Sequence, residues 1–104
     1  MLREVTRIKI RRTTGNVFAD LGFAAEDAEH LKVRADLMVA LTKLLDARGL
    51  SQAEAAKLLG VSQPRISDLV RGKIDKFSVD TLISMLAAAG AHVSVSVRRG
   101  RAIA

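Results

Sequence analysis

Ser51, Ser62 and Ser78 recur in one local pattern, and that pattern constrains the chain more than any other feature. Each is preceded by an apolar residue: Leu50, Val61 or Phe77. Each has another apolar residue five positions after that one: Ala55, Ile66 or Leu82. A serine hydroxyl satisfies an open backbone amide at a helix start. The flanking apolar pair has the spacing of a hydrophobic staple, weakest at Ala55, whose side chain is small. Ser51-Gln52-Ala53-Glu54 also fits a capping box. Pro64 falls in a first helical turn, where its missing N–H costs little. These signals predict helices over 52–59, 63–71 and 79–89.

A longer helix is expected over 26–48. Leu31, Ala35, Met38, Leu41 and Leu45 recur three or four apart, with Leu37 and Leu44 widening the stripe. Gly49 suits the left-handed residue that ends a helix. Before it, Val17, Phe18, Leu21 and Phe23 are apolar enough to dock on a core. Thr13-Thr14-Gly15-Asn16 reads as a turn, and residues 1–14 as a basic arm that is flexible or a weak strand. Residues 15–104 then form a single domain. At the far end, His92 to Arg98 alternates and predicts a strand over 92–98, with Val93, Val95 and Val97 facing the core. A lone strand cannot satisfy its own ladder groups. The preferred partner is the same strand of a second chain, antiparallel across a two-fold axis; the other is the Ile8/Ile10 segment.

The chain has 104 residues, one domain's worth. The only aromatics are three Phe, so an aliphatic core is expected. No Cys is present, which removes disulfides, thiolate metal sites and cysteine nucleophiles, and fits a cytoplasmic location. No apolar run approaches the roughly 18 residues of a membrane span. The N-terminus lacks the apolar segment of a secretory signal. Lys and Arg number 17 against 11 Asp and Glu, a net charge of +6 that favours a polyanionic partner.

Residues 52–72 carry the function. Their two short helices, joined by a tight turn at Leu59 to Ser62, form a helix-turn-helix. The helices cross steeply, so a small residue is needed where they touch, and Ala56 supplies it. Gly60 can take the positive φ of the turn. Ile66 and Leu69 face inward and hold the second helix on the first. Gln63, Pro64, Arg65, Ser67, Asp68 and Arg71 are left outside or near the helix end.

On Gln52, Ala56, Gly60-Val61-Ser62, Ile66-Ser67, Leu69 and Gly72, this stretch resembles the Xre/Cro–repressor family of helix-turn-helix regulators. The span from Gly15-Asn16-Val17-Phe18-Ala19-Asp20-Leu21-Gly22-Phe23 to the C-terminal strand is similar to a subgroup that includes HigA-type antitoxins and small solitary regulators. The resemblance implies a mainly α, lambda-repressor-like bundle. It also implies a transcriptional regulator, expected to be a repressor working as a homodimer on palindromic double-stranded DNA.

In that family the second motif helix lies in the major groove. Carried over, Gln63 would pair with adenine, and Pro64 would pack on a thymine methyl. Arg65 would read guanine or grip a phosphate. Asp68 would accept from cytosine, or pair with Arg65 or Arg71. Gln52 would grip a phosphate and brace Gln63. Ser51 and Ser62 stand at helix N-termini suited to phosphates. Ser67, Arg71, Lys73 and Lys76 complete the expected backbone contacts. The acidic residues Asp20, Glu26, Asp27 and Glu29 would offer a docking surface for a small basic toxin, if the chain is an antitoxin. Their simpler role is to complement a helix dipole.

No enzyme, metal site or cofactor is expected. His30 and His92 are far apart, and neither has ligands at metal spacing. No acid–base or nucleophile constellation is present.

Overall fold

The computed structural model describes residues 6–10 as a backbone strand, and residues 17–99. The elements run β1 (Thr6–Ile10), α1 (Val17–Asp20), α2 (Ala25–Ala47), α3 (Gln52–Leu59) and α4 (Gln63–Val70). A 3-10 turn (Ile74–Lys76), α5 (Val79–Ala88) and β2 (Ala91–Val95) follow. The result is a mainly α bundle with a helix-turn-helix arrangement and a C-terminal strand.

The core lies where α2, α4 and α5 meet. Phe77, Leu37, Leu41, Ile66, Leu69, Leu82 and Leu86 are its largest fully buried side chains. Phe77 corrects the expectation of a purely aliphatic core: it is 1% exposed. Its place just before the Ser78 cap turns the ring inward. No helix among the described residues is long and apolar enough to cross a membrane.

The serine caps divide by chemistry. Ser51 makes the full capping box: its hydroxyl accepts from the Glu54 N–H at 3.1 Å, and its own N–H donates to Glu54 Oε1 at 2.9 Å. The Ser78 hydroxyl accepts from the Thr81 N–H at 3.1 Å. Ser62 makes no side-chain cap bond, against expectation. Pro64 removes one amide the hydroxyl would use, and the Arg65 N–H donates instead to the Ser62 carbonyl at 3.1 Å.

The first and last of these elements meet. β1 and β2 form a two-stranded parallel sheet, with Ile8 beside Val93 and Ile10 beside Val95. The preferred pairing between two chains is thus replaced, on this edge of β2, by pairing within one chain. A parallel pair needs a long crossover, and the helices between the strands provide it. β2 is also shorter than expected, ending at Val95. Val93 is half-buried and packs on the core, but Val95 is 70% and Val97 89% exposed. The helical layer reaches under Ala91 and Val93 and no further, so the alternation at Val95 and Val97 does not mark a core face.

α1 differs too. It has no buried residue. Val17, Leu21 and Phe23 are exposed, although Phe18 and Phe23 meet edge-to-face at 6.1 Å. Apolar composition was enough to suggest docking there, but most of that surface stays in solvent.

Ala56 is buried between α3 and its neighbours at 7% exposure. Ala56→Leu should overpack this crossing and lower stability by about 1–3 kcal/mol, read by thermal melting. The Glu54 carboxyl is held below its ordinary value, first by the Ser51 backbone N–H and then by its side chain. A lowered native value favours the folded state above the ordinary glutamate range and loses that contribution as pH falls through the native value. Glu54→Gln should therefore flatten the acid limb of a stability–pH curve measured by urea unfolding.

Candidate nucleic-acid interface

α3 ends at Gly60, whose φ of 68° and ψ of 33° place it in the left-handed region. The N–H groups of both Gly60 and Val61 close on the Ala56 carbonyl. The chain thus reverses within Gly60 to Ser62 and starts α4 at Gln63. A side chain at Gly60 would be strained by the backbone conformation alone.

α4 buries Ile66 and Leu69 at 1% and 2% exposure, and this fixes its rotation. Gln63, Pro64 and Arg71 are exposed, while Arg65, Ser67 and Asp68 are half-buried. Gln52 and Ser62 are exposed at the starts of α3 and α4. The expected base-edge and phosphate residues of α3 and α4 are therefore all at least partly open to solvent.

Two placements differ from expectation. Asp68 pairs with neither Arg65 nor Arg71; it faces the Lys73 ammonium at 3.6 Å. The Lys73 N–H also donates to the Asp68 carbonyl at 3.0 Å, where Gly72 (φ 72°) turns the chain back after α4. Arg65 lies over the Phe77 ring, its guanidinium carbon 4.6 Å from the centroid.

The loop after α4 carries Lys73 and Lys76, both exposed. It is tied to the long helix by Arg34, whose guanidinium donates to the Ile74 carbonyl at 3.3 Å. Arg34 and Phe77 were not anticipated as parts of the site. Their partners lie 40 and 12 positions away, beyond any helical periodicity. Asp75, between the two lysines in the sequence, is exposed as well and lowers the net charge of this loop.

The start of α3 differs electrostatically from the start of α4. Glu54 occupies the Ser51 N–H and places a carboxylate at the positive end of α3. The first turn of α4 holds no acidic residue, and the Ser62 hydroxyl makes no cap bond. Away from the motif, Asp20, Glu26, Asp27 and Glu29 are all exposed, on α1 and the first turns of α2. Among the described residues, no group of three or more His, Cys, Asp or Glu is placed to hold a metal ion.

Comparison with known proteins agrees with this geometry. A family model described as a helix-turn-helix domain matches residues 17–98. No curated protein matches. A solved structure described as a "Putative XRE Family Transcriptional Regulator" is 38% identical, covering 75% of this chain and 91% of that one, with a TM-score of 0.68. The match spans α1 to the C-terminal strand as well as the motif, and the chain belongs to the Xre/Cro-type family of helix-turn-helix transcriptional regulators.

Proposed function

We propose that this protein binds double-stranded DNA sequence-specifically and represses transcription by occupying an operator, working in the cytoplasm. The observation that carries this reading is the rotation of α4. Ile66 and Leu69 point into the core, which leaves Gln63 and Pro64 exposed and Arg65 half-buried beside them at the helix N-terminus. That end of a recognition helix is the part that meets base edges in the major groove.

In this arrangement Gln63 pairs with adenine N6 and N7, Pro64 packs on a thymine methyl, and Arg65 takes guanine O6 and N7. Asp68 acts chiefly through Lys73, holding the ammonium at the end of α4. Ser62 receives a phosphate at the start of α4, and Gln52 grips the backbone nearby. Ser67, Arg71, Lys73 and Lys76 extend the phosphate contacts. Ser51 contributes less than Ser62, because its N–H is already donated to Glu54.

The functional unit in this reading is a homodimer on a palindrome with half-sites roughly 34 Å apart. β2 is the strand through which a second copy would join. One of its edges is taken by β1, so the pairing would use the other.

Selection of bound duplexes from a random pool tests the reading. An enriched palindrome is expected; recovery of no preferred sequence would sink it. On the enriched site, Gln63→Ala should cost about 1–3 kcal/mol and leave a scrambled duplex nearly unaffected. Lys73→Ala should weaken both duplexes alike and flatten the salt dependence.

A second reading is favoured by one surface. The exposed Val17, Leu21 and Phe23 lie beside Asp20, Glu26, Asp27 and Glu29 in an otherwise basic chain. Such a patch suits a small basic protein, and an antitoxin would bind its toxin there. Co-expression with a small basic toxin encoded beside this chain should then restore growth. Paired Glu26→Lys and Asp27→Lys changes should abolish that rescue while DNA binding persists.

A further inference from the structure

Arg65 differs from the other cations of the interface in having a fixed platform. Its guanidinium carbon lies 4.6 Å from the centroid of the Phe77 ring. Phe77 is itself held in the core with Ile66, Leu69, Leu82 and Leu86. A buried ring cannot follow a mobile side chain, so the attraction between ring face and cation restrains the arginine. Arg65 is accordingly half-buried, while Gln63 and Pro64 beside it are exposed.

The contact leaves the N–H donors uncommitted. Among the described residues, the Arg65 guanidinium has no carboxylate within ion-pair distance. The acid on its own helix, Asp68, faces Lys73 instead. A planar fork with a restrained carbon and unused donors is suited to an acceptor pair such as guanine O6 and N7. Ordering a long side chain ordinarily opposes binding, and here much of that ordering precedes the encounter.

We propose that Phe77 is a positioning residue for DNA reading: it holds Arg65 so that the guanidinium donors meet one guanine of the half-site. The proposal rests on the DNA-reading role of α4 given above.

Two measurements test it on the full chain. In the free protein, Arg65 side-chain protons should show upfield ring-current shifts by NMR, and Phe77→Leu should abolish them. Binding is then measured by fluorescence anisotropy for the wild type, Phe77→Leu, Arg65→Ala and the double variant. The probes are the selected duplex and the same duplex carrying 7-deazaguanine at the contacted position.

Phe77→Leu should weaken binding to the selected duplex by roughly 3–30-fold. It should change little in the Arg65→Ala background, because both changes remove one contact. The 7-deazaguanine duplex should bind wild type more weakly and show no further loss with Arg65→Ala. Circular dichroism checks that Phe77→Leu is folded. If it is not, Phe77→Met, which keeps an apolar side chain of similar size without the ring, takes its place in the same cycle.

Additive losses in the double variant or absent ring-current shifts would each overturn the Phe77 role alone. Failure of the pool to yield any preferred sequence would overturn it together with the DNA reading.

Discussion

Burial of Ile66 and Leu69 among Leu37, Leu41, Leu82, Leu86 and Phe77 is the contact on which the interface depends. α4 has eight residues, too few for a helix to persist alone in water. Two apolar side chains three positions apart give it both its stability and its rotation. Turning the helix by one residue, about 100°, would bring polar residues to the core and apolar ones to the surface. No polar or charged residue is buried among those described, so the interior offers no compensation for such a turn. The positions of Gln63, Arg65 and Arg71 follow from this single packing decision.

The same core reaches the surface through side chains outside the motif. Phe77 supports Arg65 from below, and Arg34 on α2 holds the loop that carries Lys73 and Lys76. α2 has 23 residues and is about 34 Å long, which lets it contact α1 near one end and the post-motif loop along its length. The two motif helices also have different tasks at their N-termini. α3 is closed by a capping box that adds negative charge, whereas α4 begins with Pro64 in its first turn and a serine hydroxyl without a cap bond. The polarity of the site is thus concentrated on the second helix.

Local features of the fold were legible because local forces decide them. The caps at Ser51 and Ser78, the left-handed turn at Gly60, and the inward face of α4 each involve residues within five positions of one another. The expectation failed where one particular neighbour or a distant element intervened. Ser62 has the same sequence context as the other two serines, yet Pro64 changes which amides are present. Val95 and Val97 continue the alternation of Val93, yet the helices beneath them do not extend that far. Asp68 was expected beside an arginine on its own helix, but the turn at Gly72 brings Lys73 to it first.

By itself, the sequence determined the four longer helices, where the motif turns, and which face of α4 is apolar. Helix propensity, capping and burial periodicity act over a few residues and leave a direct trace in residue order. The tertiary structure alone decided that β1 and β2 pair in parallel, that Arg65 rests on Phe77, and that Arg34 anchors the basic loop. Those contacts join residues 85, 12 and 40 positions apart in the register and contacts above. Their partners are chosen by how the helices pack, and no periodic signal in the chain records that choice.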